Sequence, residues 1–173
     1  MQNSYLLEFL TLDEFRYENA VTLGADRMFL PQYRQANKIR SRELAAHNIG
    51  LAYAHNNMLY PSFINGDVIN SCQERLFGFG LENAAFFPYW KPNPDGISVD
   101  GSGVVVSYWK NPAGMLFTVL NSTNEPRQAA LKLPEKYSSA TLYEPVADTE
   151  REFVAGSTFE LAPYQMALVQ LKF

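Results

Sequence analysis

The sequence predicts an α+β chain, with a helical, α/β-patterned segment over residues 1–85 and an antiparallel β-sandwich over residues 86–173. Three observations predict it. From Val104 onward, short runs with period-two apolar patterning are separated by turn signals, the pattern of a sandwich. Before Pro61 the apolar residues recur at helical spacing, broken by brief apolar runs. The 173 residues are 47% hydrophobic and 18% charged, enough for a real core and too apolar for disorder.

The N-terminal elements follow in order. Thr11-Leu12-Asp13-Glu14 is a capping box, with Thr11 positioned to accept from the first turn while Glu14 reaches back. A helix should follow, with Phe15, Ala20, Val21 and Leu23 inward and Gly24 as its C′ residue. Met28-Phe29-Leu30, stopped by Pro31, reads as a brief buried strand, and residues 32–37 as a polar loop. A second helix is expected from Asn37 to His47, ended by Asn48-Ile49-Gly50. Leu51-Ala52-Tyr53-Ala54-His55 then reads as a parallel strand, since its apolar side chains point both ways. A third helix fits residues 67–79, where Ile69, Cys72, Leu76 and Phe79 repeat at helical spacing after Asp67. Helix, strand, helix, strand, helix is the order of one or two units of an α/β barrel, which needs about eight.

Phe86-Phe87-Pro88-Tyr89-Trp90 marks the crossing into the second half, followed by a loop holding Pro92, Pro94 and Gly96. Strands are expected at Gly103–Lys110, Met115–Leu120, Gln128–Leu133, Ala140–Glu144, Thr158–Leu161 and Met166–Lys172, within a sandwich of six to eight. Asn111-Pro112-Ala113-Gly114 turns the first two into a hairpin.

Composition narrows the function classes. The net charge of −4, with a pI near 5.2 and no run of Lys or Arg, argues against nucleic acid and anionic membranes as partners. No stretch approaches the 18 or so apolar residues of a membrane span, and residues 1–7 lack the basic and apolar regions of a signal peptide. Cys72 is the lone cysteine, so neither an intrachain disulfide nor a CxxC metal site exists. His47 and His55 are the only histidines, and their spacing suits no metal; no metal and no cofactor is expected. Asp95 to Gly103 places two acids among glycines, but a pair of β-turns explains it better than a calcium loop. No phosphate loop, dinucleotide fingerprint or nucleophile elbow is present.

The most suggestive polar cluster is Tyr53, His55, Asn56, Asn57 and Tyr60. If residues 51–55 are a barrel strand, His55 and the two asparagines stand at its C-terminal end, where barrel sites are built. Imidazole, amide and phenol there could hydrogen-bond sugar hydroxyls; equally, the asparagines are turn residues and His55 finishes a strand. Tyr89, Trp90 and Trp109 are either a sugar platform or the seam between the two halves, the seam being favoured by the adjacent Phe86-Phe87. Asp26 and Arg27 form a loop pair that is either substrate-facing or a solvated turn.

Phe87-Pro88-Tyr89-Trp90, then Val104-Val105-Val106-Ser107-Tyr108-Trp109, Leu116-Phe117-Thr118-Val119-Leu120-Asn121 and Ala130-Leu131-Lys132-Leu133, with a final strand introduced by Leu161-Ala162-Pro163-Tyr164, carry a resemblance. Together they resemble the C-terminal β-sandwich that follows the (β/α)8 barrel in many glycoside hydrolases. The Phe-x-Pro-Tyr-Trp lead-in is most similar to bacterial enzymes related to β-N-acetylgalactosaminidases. The resemblance implies that Tyr5 to Phe79 is the last part of such a barrel. It also implies carbohydrate as the ligand of the parent enzyme, an upstream barrel as packing partner, and self-association where that partner is missing. The paired carboxylates of such hydrolases would lie upstream of Met1, so no catalytic role transfers to a residue here. A carbohydrate-binding sandwich module and a structural or oligomerisation domain are the alternative classes. An exposed row of Tyr or Trp on a sheet face would mark the module.

Overall fold

The computed structural model describes residues 5–21, 28–134 and 136–173. Helix α1 (Leu12–Arg16) starts at the expected capping box: the Glu14 N–H donates to Thr11 Oγ1 at 3.2 Å and the Thr11 N–H to Glu14 Oε2 at 2.7 Å. It passes into a π-helical turn, Tyr17–Val21, with Phe15 buried. Leu23, Gly24, Asp26 and Arg27 lie outside the described residues, as do the side chains of Ala20 and Val21. Strand β1 (Met28–Phe29) is as brief as expected but not buried: Met28 is exposed and Phe29 only half-buried, because β2 is its one partner among the described residues. After a short helix α2 (Ala36–Ile39) comes α3 (Arg42–Ala54), capped by Ser41 Oγ, which accepts from the Leu44 N–H at 3.1 Å. Strand β2 (Met58–Leu59) pairs parallel with β1, and α4 (Gly66–Phe79) ends on left-handed Gly80, buried through Val68, Ile69, Cys72, Leu76 and Phe79.

The segment expected to stop at Asn48-Ile49-Gly50 and restart as a strand is instead one helix. Every residue from Leu44 to Ala54 is buried, so α3 has no polar face and shows no helical period. Gly50 is a spacer within it, because a Cβ there would stand 2.9 Å from the Cβ of Met166 on the sheet below. Small residues at Ala45, Ala46, Ala52 and Ala54 keep the rest of the approach close.

The second half forms two antiparallel sheets. The larger has β3 (Ala85–Phe87), β5 (Val104–Asn111), β6 (Gly114–Asn121), β11 (Met166–Lys172), β8 (Ser139–Glu144) and β9 (Thr149–Glu152), paired in that order. The smaller has β10 (Thr158–Leu161), β7 (Arg127–Lys132) and β4 (Ser98–Asp100). That makes nine strands among the described residues, against six to eight expected, and no helix follows β4 among them. The three strands beyond the six placed from sequence are β3, β4 and β9; β9 is an edge strand, Thr-Glu-Arg-Glu, exposed throughout and without an apolar face to betray it.

The larger sheet is covered on both sides. Tyr108, Met115, Phe117, Val119, Leu142, Val169 and Leu171 pack with Leu131, Phe159 and Leu161 of the smaller sheet. Trp109, Leu116, Leu120, Tyr143, Met166 and Leu168 pack with α3 and α4. Strand β6 is therefore buried at all eight positions and does not alternate. Two arginines fasten the helices to the β8–β9 hairpin, Arg42 at its loop and Arg75 at its strands. Arg42 donates to the carbonyls of Val146 (2.7 Å) and Pro145 (2.9 Å), and the Arg75 guanidinium lies 3.5 Å over the Tyr143 ring while reaching Glu150 at 3.0 Å. Asn121 closes the end of β6. Its fully buried amide donates to the carbonyls of Glu125, Leu161 and Ala162 and accepts from the Thr123 N–H and hydroxyl.

Candidate functional site

Polar side chains meet apolar walls at several places among the described residues, and two of these lie at opposite ends of the β1–β2 pair. The first is the C-terminus of α3. Asn56, at φ 57°, is the left-handed residue that ends the helix. The Asn57 N–H returns to Ala52 O at 2.8 Å and the Asn56 N–H to Tyr53 O at 3.2 Å, so His55-Asn56-Asn57 is a Schellman cap. The Asn56 side chain then accepts from Trp109 Nε1–H at 3.0 Å. Ser107, fully buried on β5, donates to the Ala54 carbonyl at 2.8 Å and accepts the Tyr89 N–H at 3.0 Å. The helix end is thereby bolted to the sheet at two adjacent inward positions of one strand.

His55 is 3% exposed in this cluster. Its Nδ1 faces the Leu51 carbonyl at 2.7 Å, which assigns the proton to Nδ1. Nε2 is left to accept from the Tyr89 hydroxyl at 3.2 Å. The ring stacks on Trp90 (5.4 Å, 21°) and touches Phe15 and Tyr89. Burial, aided by the nearby Arg16 charge and opposed by the Leu51 hydrogen bond, pulls its pKa down to about 4. Arg16 also lies 5.9 Å over the Trp90 ring. His47, fully buried in mid-helix, repeats the arrangement: Nδ1–H donates to Tyr164 O (3.0 Å), Nε2 accepts the Leu6 N–H (3.0 Å), and burial lowers the pKa to about 4. Both imidazoles are neutral and use both nitrogens within the chain.

Of the residues singled out from sequence, the structure brings His55, Asn56, Tyr89, Trp90 and Trp109 together here, with Tyr53 edge-on to Trp109 at 5.9 Å. Trp109 is buried and Tyr89 and Trp90 half-buried. Tyr53 Oη and Asn57 Nδ2 are buried without a hydrogen-bond partner. Tyr60 stands apart, exposed at the far end of β2. Because residues 51–54 are helical, His55 precedes β2 and lies at its N-terminal end. Cys72, on the buried face of α4, has its thiol pKa pushed up to about 12, first by burial, and is unsuited to nucleophilic chemistry. Among the described residues no three His, Cys, Asp or Glu side chains gather as metal ligands would. Asp95, in the loop before β4, accepts from the Tyr108 hydroxyl at 2.8 Å and pairs with Lys110.

The second place is a cavity of about 410 Å3 lined by Gln32, Tyr33, Arg34, Ile39 and Phe63. Its walls come from the segments that follow β1 and β2, so it lies beyond the C-terminal ends of the parallel pair. The sequence predicts only a polar loop over residues 32–37 here.

No protein-family model matches the chain, and no curated protein matches it. Among solved structures it is similar to a GH27 β-L-arabinopyranosidase from Geobacillus stearothermophilus, in complex with arabinose, at 14% identity over 73% of this chain and 30% of that chain, with a TM-score of 0.45. It is similar to a putative α-N-acetylgalactosaminidase from Bacillus halodurans at 12% identity over 73% of this chain and 32% of that one, with a TM-score of 0.41. A GH42 β-galactosidase from G. stearothermophilus gives 17% identity over 63% and 12% of the two chains, with a TM-score of 0.33. The chain thus spans between 12% and 32% of the length of these proteins.

Proposed function

We propose that this chain is the C-terminal portion of a glycoside-hydrolase-like, carbohydrate-active protein, in which β1 to α4 complete an α/β barrel and the sandwich stabilises it. The observation that carries this reading is the parallel β1–β2 pair. Two strands of two residues each cannot hold together alone, and both outer edges of the pair are open among the described residues. Met28, Leu30, Met58 and Tyr60 on and beside these strands are exposed, Met28 by 61%. Further parallel strands on those edges would bury them. The carbohydrate side of the reading rests on the resemblance of the Phe-x-Pro-Tyr-Trp lead-in; Phe86, Tyr89 and Trp90 pack within the chain at the junction of its two halves, which supports a stabilising role for the sandwich. A sugar-binding sandwich face is less well supported: among the described residues no Tyr or Trp of the sandwich is exposed, and Phe173, at its very end, is its exposed aromatic.

In this reading the isolated chain hydrolyses nothing and associates with itself through the β1–β2 edge. Sedimentation across a concentration series should show reversible association, abolished in the double variant Met28→Lys/Met58→Lys. A panel of chromogenic glycosides should show no turnover. Turnover lost on replacing a carboxylate of this chain, or a wild-type protein monomeric at every concentration, would overturn the proposal.

A further inference from the structure

The cavity beyond β1 and β2 has the features of a ligand site, and its chemistry is specific. In βα units the strands' carboxyl ends are where ligands bind, because the loops there converge while the other end is closed by packing. The volume of about 410 Å3 lies in the range that holds a single small ligand. Tyr33 forms a fixed wall: its hydroxyl accepts from the side chain of Asn48, fully buried in α3, at 2.9 Å, and Asn48 in turn donates to Leu44 O at 2.7 Å. Phe63 holds φ at 64°, a left-handed conformation that a bulky side chain adopts only when its surroundings impose it. That conformation leaves its ring half exposed at the cavity, a flat apolar surface suited to the C–H face of a pyranose. Gln32 brings an amide that can donate to and accept from hydroxyls.

Arg34 sets the charge. It lines the cavity, and among the described residues it makes no hydrogen bond, ion pair or ring contact. An unpaired guanidinium beside an aromatic face is a bidentate anchor for a carboxylate. The chain as a whole carries −4, so long-range attraction does not explain recognition of an anion; the local fork does.

We propose that this cavity takes a carboxylate-bearing sugar, a uronate unit, with Arg34 gripping the carboxylate and Phe63 stacking on the ring. The inference rests on the carbohydrate reading above and names its substrate class.

The test is titration of the purified chain with glucuronate, glucose and acetate, followed by NMR, on wild type, Arg34→Gln and Phe63→Ala. Glucuronate should bind and acetate and glucose should bind much more weakly. Arg34→Gln should weaken glucuronate roughly ten-fold to a hundred-fold, the effect of losing a charged hydrogen bond. Phe63→Ala should weaken it as well, which separates a sugar site from a bare anion site. Acetate binding as tightly as glucuronate would reduce the cavity to a simple anion site and overturn the proposal. Glucose binding as tightly, indifferent to Arg34→Gln, would overturn the uronate assignment while leaving the carbohydrate reading standing. Binding of neither sugar would overturn the site, and the association and turnover measurements would still judge the parent reading by themselves.

Discussion

Mild acid should destabilise this protein, and the two histidines should be the reason. Each is neutral and buried, with a pKa lowered from 6.5 to about 4 in the fold, burial being the larger cause in both. Between those values the unfolded chain takes up a proton at each histidine that the folded chain refuses. Stability therefore rises with pH across that window: the contribution is fully present above 6.5 and is lost as pH falls towards 4. Going from pH ~7 to pH ~5, each histidine should remove about 2 kcal/mol, and the pair about 4 kcal/mol. Such a loss is a large share of an ordinary domain's stability. Arg16 adds to the penalty at His55, whereas His47 has only the Tyr164 carbonyl to favour its charged form. Glu14 is held below its usual 4.5 by its hydrogen bonds to Thr11, and what it contributes is likewise lost as pH falls. Urea unfolding followed by the fluorescence of Trp90 and Trp109 at several pH values measures the effect. The double variant His47→Gln/His55→Gln should be less stable near neutrality but nearly flat in pH. A wild-type protein whose stability is unchanged between pH ~7 and ~5, or a slope that survives in the double variant, would refute the reasoning.

Three substitutions test the packing. Gly50→Val drives a side chain into Met166 and Leu120, and should cost about 1–3 kcal/mol by overpacking, read as a lower midpoint in denaturant. Ser107→Ala strands the Tyr89 N–H and the Ala54 carbonyl; a loss of about 1–3 kcal/mol, roughly 3–10 °C in Tm, is expected, with exposed Ser98→Ala as the silent control. Asn121→Ala leaves the carbonyls of Glu125, Leu161 and Ala162 without their shared donor and should cost about 2–4 kcal/mol, while slower hydrogen exchange near Thr123 than in wild type would contradict that account.

The sandwich was legible because its strands either alternate or are bounded by turn chemistry. Asn111 shows the latter directly, its side chain accepting the N–H groups of Ala113 and Gly114 to close the β5–β6 turn. Strand β4 was hidden inside a glycine-rich loop that reads as turns, and β9 inside a charged run. Helix α3 was misread for the opposite reason: a helix buried all round looks like a buried strand, and a glycine needed for close approach looks like a stop signal. The strand expected over residues 51–55 puts His55 at a strand's C-terminal end, whereas it ends a helix and precedes β2. Asn56 and Asn57 were rightly visible as turn formers, but the turn they make caps a helix. Nothing in Gln32-Tyr33-Arg34 announces a cavity, because its other wall, Phe63, is brought there only by the parallel pairing of β1 with β2.

The shared six-stranded sheet has a practical consequence for anyone wishing to transplant the sandwich as a cassette. Severed from α3 and α4, residues 86–173 would present Trp109, Leu116, Leu120, Met166 and Leu168 to water as one continuous greasy plate. Such a plate recruits other copies before it recruits solvent, so the severed piece should precipitate where the whole chain does not. The severed helices would fare no better, since α3 is buried all round and its alanines, Gly50 and Tyr53 are fitted to this particular strand surface. The two halves are one folding unit written in two styles, and a recombination point between them would have to carry the plate's cover along.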